Sequence, residues 1–158
     1  MKKTFTLLAI AAFASNVSSQ VISQNATPSV VSTTGSVACG NSEAGSTSDN
    51  YYSRAFDLSE FGINYDYKIT NVAFGVQTVS GPINATVNLY SLVGNYPGGT
   101  KTLLNSVNVP VTEANVGGMA DSGTAITQLI PASSKFVFEV FHDGTENVET
   151  FYIGTNPG

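Results

Sequence analysis

Beyond residue 20 the apolar side chains recur at every second position, the repeat of a half-buried strand and not of a helix. In "TNVAFGVQT" this sets Val72, Phe74 and Val76 on one face, and in "NATVNLYSL" it aligns Ala85, Val87 and Leu89. "SVNVPV" repeats the device with Val107, Val109 and Val111, and "KFVFEVFH" lines up Phe136, Phe138 and Val140 with Glu139 turned to the other side. These runs are rich in Val, Phe, Tyr and Thr, which suit a pleated surface. Turn signals separate them: Gly81-Pro82, Tyr96-Pro97-Gly98-Gly99, Gly117-Gly118, Asp121-Ser122-Gly123, Pro131 to Ser134 and Asp143-Gly144.

Many short strands with closely spaced turns predict an all-β chain, an antiparallel β-sandwich of jelly-roll-like kind folded as a single domain. Its expected core is Phe74, Val76, Val87, Leu89, Val107, Val109, Phe136, Phe138 and Val140. Only "DLSEFG", from Asp57 to Gly62, suggests a helical turn. Pro110 within a strand pattern points to an edge strand or a bulge, since proline has no N–H for the ladder.

The N-terminus is of another character. Lys2 and Lys3 precede a short apolar run from Phe5 to Ala14 and then small residues, which reads as a signal peptide over residues 1–19. The run is shorter than the roughly 20 apolar residues a membrane-spanning helix needs. Cleavage before Gln20 is expected, with cleavage after Ala14 as the alternative, so the protein is secreted or displayed at a cell surface. Residues 20–35, dominated by Ser, Thr, Asn and small apolar side chains, read as a flexible leader. "GSVACG" follows as a first edge strand, and Gly45 to Asn50 as a surface loop. The sandwich domain then occupies residues 36–158.

Charge narrows the partners. After residue 19 only Arg54, Lys68, Lys101 and Lys135 are basic, against eleven acidic residues in the chain. Such a surface cannot neutralise many phosphates, which argues against nucleic acid and anionic membranes.

Candidate chemistry is sparse. With one histidine, His142, and one cysteine, Cys39, the chain cannot assemble a Cys/His zinc cluster. No Gly-x-Ser-x-Gly motif accompanies His142, so a Ser-His-Asp triad lacks its nucleophile signature. Asp143, Glu146 and Glu149 in "HDGTENVE" could offer oxygens to calcium from a loop, although Asp-Gly is first a turn former. No other cofactor is indicated. Tyr51, Tyr52 and Tyr96 fall in turn-like stretches and are the candidate ligand-binding residues, because exposed rings stack on sugars and build protein interfaces. The partner is accordingly a glycan or a protein surface. Two "NAT" triplets, at Asn25 and Asn84, match a eukaryotic glycosylation signal, whereas the short lysine-led leader looks bacterial.

The ordered set "ACG", "DNYYSRAFDLSEFGI", "YKITNVAFGVQTVSG", "YPGGTKTLLNSVNVPV" and "FYIGTNPG" resembles a β-sandwich module of secreted proteins of Bacteroidetes, especially flavobacteria. The resemblance spans about Ala38 to Gly158. It implies an extracellular adhesive or accessory domain without assigned catalytic residues, often linked to a type IX secretion sorting domain and so to that secretion machinery. It also implies a further strand and a second Cys-Gly after Gly158, with which Cys39 would form a disulfide; an odd cysteine in an exported chain agrees. The functional expectation is a non-enzymatic binding or adhesion module. The alternative is an accessory domain of a secreted hydrolase, a protease or polysaccharide-degrading enzyme, whose catalytic part lies outside this chain.

Overall fold

The structure is a computed structural model and describes residues 19–41, 45–144 and 148–156. The signal-peptide segment and Glu146 therefore lie outside the described residues, Ser19 excepted. Strands run in the order β1 Gly40–Asn41, β2 Ser46–Thr47, β3 Asn50–Asp57, β4 Tyr67–Ile69, β5 Ala73–Val79, β6 Ile83–Val93, β7 Thr100–Val111, β8 Met119–Asp121, β9 Gln128–Ile130, β10 Lys135–His142 and β11 Phe151–Ile153. Among the described residues no helix is long and apolar enough to cross a membrane.

The protein is all-β and its strand pairing is antiparallel. One sheet has four strands in the order β3-β10-β6-β7, and facing it are β11-β5-β8 and the β4-β9 ribbon. The pairings are nested: β3 with β10, β4 with β9, β5 with β8 and β6 with β7. The chain from β3 to β10 is thus one long ribbon folded back on itself, the pairing order of a jelly roll. Its core joins both layers, with Val87, Leu89 and Val140 from the first and Phe74, Val76 and Phe151 from the second.

Alternation in the long strands places the side chains as the sequence predicts. Phe74, Val76, Val87, Leu89, Val109, Phe136 and Val140 are buried, whereas Val107 and Phe138 are half-buried and pack against the cluster. Leu58, Ile63, Ile69, Ile126, Ile130 and Phe151 complete the core from turns and short strands. "DLSEFG" does form a helical turn, a 3-10 turn at Leu58–Phe61 whose start Asp57 caps by accepting from Ser59 N at 3.0 Å. Pro110 sits in β7, an edge of its sheet, as its missing donor requires.

Two segments differ from the reading of composition. Gly45 to Asn50, expected as a surface loop, contains β2, and both Ser46 and Thr47 are buried. Polar side chains are admitted there because they are satisfied: Phe151 N donates to Thr47 Oγ1 at 2.9 Å, and Asn50 bonds both the N–H and the carbonyl of Cys39. Residues 20–35, expected as a flexible leader, lie across the domain. Tyr67 donates to Gln20 O at 2.7 Å, Gln24 Nε2 donates to Ala55 O at 2.7 Å, and Ser32 bridges to Thr155. A phenol, a side-chain amide and a backbone bridge supply these anchors, which hydropathy does not register. Cys39 is exposed as a free thiol.

Candidate functional site

Strand alternation gives the four-stranded sheet a second, outward face. Residues 51, 53, 55 and 57 of β3, 135 to 141 of β10 at odd numbers, and 86, 88 and 90 of β6 share it. Register then sets them in rows: Tyr51–Phe141–Thr86, Ser53–Glu139–Asn88 and Ala55–Val137–Tyr90, ending at Asp57–Lys135–Leu92. Val137 and Leu92 are buried yet outside the core cluster, an apolar floor beneath this face.

At the centre is Glu139, only 4% exposed. Its carboxylate accepts from Ser53 Oγ at 2.9 Å, Tyr90 Oη at 2.9 Å, Asn88 Nδ2 at 3.2 Å and Lys101 Nζ at 3.2 Å. Burial works against its ionisation, but the bonds from Tyr90, Ser53, Lys101 and Asn88 together outweigh it and hold the carboxyl below the usual glutamate range. Tyr90 moves the other way, pushed up to about 12 by burial and by its bond to the carboxylate. The Lys101 ammonium also lies 4.6 Å from the centroid of the Tyr90 ring. Ser106 Oγ donates to Asn88 Oδ1 at 2.7 Å and Thr86 Oγ1 to Asn108 Oδ1 at 3.2 Å, so the neutral polar side chains alongside are pre-oriented.

Aromatic groups stand at both ends of the strip. Tyr51, 63% exposed, stacks on Phe141 with centroids 4.5 Å apart and planes 22° apart. At the other end Tyr96 lines a groove of about 370 Å³ with Gln24, Asp57, Glu60, Asn95 and Lys135. The hairpin tip that carries Tyr96 is tight: its peptide to Pro97 is cis, Gly99 N donates to Asn95 O at 2.6 Å, and a Cβ on Gly99 would sit 2.6 Å from Val93 O. A second groove of equal volume, lined by Gly81, Pro82, Thr112, Glu113 and Ala114, has no aromatic ring.

Of the sequence candidates, Tyr51 and Tyr96 therefore share one face, on the order of 20 Å apart at about 3.3 Å per strand residue from Tyr51 to the Asp57 row. Tyr52 does not join them. Its neighbour on the strand faces outward, so Tyr52 faces inward, half-buried and edge-on to Phe151 at 6.1 Å. Among the described residues its hydroxyl meets no hydrogen-bond partner within bonding geometry, and burial pushes the phenol up to about 12, opposed by the neighbouring Ile153 backbone. Glu139, Lys101, Tyr90 and Phe141 were not among the candidates, although a carboxylate flanked by apolar residues in "KFVFEVFH" is itself a signal that a cross-strand partner must exist.

The loop end of β10 is a different environment. His142 is 1% exposed, with its ring 5.3 Å from that of Phe151. Neither ring nitrogen makes a hydrogen bond among the described residues, and Glu149 Oε2 is 3.6 Å from Nε2, an ion-pair separation. Burial lowers its pKa below the ordinary histidine value, opposed by Glu149, Asp143 and Asp49. Asp49 Oδ1 accepts from Gly144 N at 3.2 Å, a contact that ties the segment after β10 to the one before β3. Among the described residues no group of three or more His, Cys, Asp or Glu side chains is placed to hold a metal ion; Glu146, which the calcium candidates Asp143 and Glu149 would need beside them, lies outside the described residues.

Compared with protein-family models, curated proteins and solved structures, the chain matches none. What it does rests on the geometry alone.

Proposed function

We propose that the protein is a non-enzymatic extracellular binding module whose contact surface is the outward face of the four-stranded sheet. The observation that carries this reading is the arrangement of one open face: a stacked Tyr51–Phe141 pair at one end, the Tyr96 groove at the other, and a pre-bonded polar row between them. Rings with a free face and side chains already held in place bind a ligand without a large ordering penalty. The two side chains best suited to acid–base work are otherwise engaged. Glu139 has four donors and is held ionised, and His142 is buried against the ring of Phe151. The lysine-led N-terminus and the likeness to secreted Bacteroidetes modules support an extracellular setting, on a cell surface or free of it.

Retention of the protein on immobilised polysaccharides, together with pull-down of cell-surface proteins, tests the reading. Wild type is expected to be retained, Tyr51→Ala and Tyr96→Ala to be retained less, and Tyr52→Phe to behave as wild type. No retention and no capture by the wild type would remove the proposal.

A further inference from the structure

We infer, resting on the binding-module reading above, that the ligand is an extended, uncharged polysaccharide and that one chain engages both the Tyr51 and the Tyr96 ends. Charge decides the class. Lys101 and Lys135 are the basic side chains of this face, and each already meets a carboxylate: Lys101 Nζ is 3.2 Å from Glu139 Oε2 and Lys135 Nζ is 3.6 Å from Asp57 Oδ2. Glu60 adds a further negative charge at the groove. With each lysine paired to a carboxylate, a uronate or sulfate group would meet no unpaired cation and would face the remaining charge of Glu60, whereas a neutral chain pays neither penalty.

The remaining polar groups suit sugar hydroxyls. Ser53, Thr86, Asn88, Ser106 and Asn108 carry hydroxyls and amides that both donate and accept. Ser53, Asn88 and Ser106 lie in the row next to the Tyr51 end, and Thr86 and Asn108 in the Tyr51 row itself, fixed by bonds to Glu139 and to one another.

Length decides the form. From Tyr51 to the Asp57 row the face is on the order of 20 Å long, measured at about 3.3 Å per strand residue, and the groove at its Tyr96 end is too small to hold more than a fraction of a ligand of that length. A single sugar unit reaches one aromatic end; a chain of several units reaches both, and its second contact forms at high effective concentration.

Calorimetric titration of the full chain tests this. The probes are neutral gluco-, manno-, xylo- and galacto-oligosaccharides of two and six units, with hexameric uronate and sulfated oligosaccharides alongside. For at least one neutral series the hexasaccharide is expected to bind at least about tenfold more tightly than the disaccharide, and Tyr51→Ala and Tyr96→Ala each to weaken the hexasaccharide about tenfold. Both tyrosines are exposed, so unchanged melting of the variants separates lost contact from lost fold. Equal or tighter binding of a charged hexamer overturns the uncharged class. Equal affinity for two and six units, or a hexasaccharide indifferent to Tyr51→Ala, overturns the two-ended engagement. Binding to none of the oligosaccharides overturns the inference as a whole, and the binding-module reading falls only if wild-type retention and pull-down are blank as well.

Discussion

Lys101 of β7 reaches across the whole width of β6 to set its ammonium 3.2 Å from the carboxylate of Glu139 on β10. The pair is unequal, with the lysine side chain 34% exposed and the glutamate side chain 5%. The carboxylate is thus the buried member, and three neutral donors share its charge with the lysine. Truncating it leaves Ser53, Asn88 and Tyr90 without their acceptor, while removing Lys101 leaves three bonds intact.

Glu139→Ala is accordingly expected to destabilise the fold by about 2–3 kcal/mol, and Lys101→Met by about 1 kcal/mol or less because its charge is partly screened by solvent. Urea unfolding of the two variants checks the order. The pH sign follows from the direction of the shift. A carboxyl whose folded pKa is lowered below 4.5 stabilises the fold fully above that value, and the contribution is lost as pH falls through the folded pKa. The wild type should lose stability in that acid window more steeply than Glu139→Gln.

Tyr52→Phe should stabilise. The hydroxyl is buried without a hydrogen-bond partner, a situation that costs about 1–3 kcal/mol where no water compensates. Removing the oxygen keeps the ring against Phe151 and is expected to raise stability by about 1 kcal/mol. Chemical denaturation measures it; a loss of stability would show that the hydroxyl has a partner in solution.

His142 makes a second pH window, at higher pH. Its folded pKa is lowered below 6.5, so between the two values the unfolded chain binds a proton that the folded chain does not, and stability falls as pH falls below about 6.5. His142→Leu removes the titration while keeping an apolar group against Phe151. Melting temperature between pH 7.5 and pH 5 should then decline for the wild type and run flatter for the variant.

Phe151 is worth more to the core than Phe138. Phe151 is fully buried and meets the rings of Phe74, Tyr52 and His142, whereas Phe138 is half-buried at the margin of the cluster. Phe151→Ala is expected to cost about 3–5 kcal/mol and Phe138→Ala distinctly less, because truncation costs scale with the cavity left behind. Thermal unfolding of both variants, side by side, reads the difference.

The period-two pattern alone determined that this chain is all-β and which side chains of its long strands point together. It separates Val87 and Leu89 from Asn88, and Phe136 and Val140 from Glu139, because successive residues of a strand must face opposite sides. Tyr51 and Tyr52, read from sequence as turn residues, lie instead in β3, where successive residues face opposite sides and so do not serve one surface. Tertiary structure decided the rest. Short strands such as β4, β8, β9 and β11 span three residues each, too few for a period to show, so Ile69, Ile130 and Phe151 enter the core through long-range packing. The outward face proposed for binding is likewise a product of register: Tyr51 meets Phe141, and Glu139 meets Ser53 and Asn88, through pairings between strands far apart in the chain. A local pattern assigns each residue to a face, but register is set by the summed burial of both layers, and a slip of one residue would have turned Glu139 into the core.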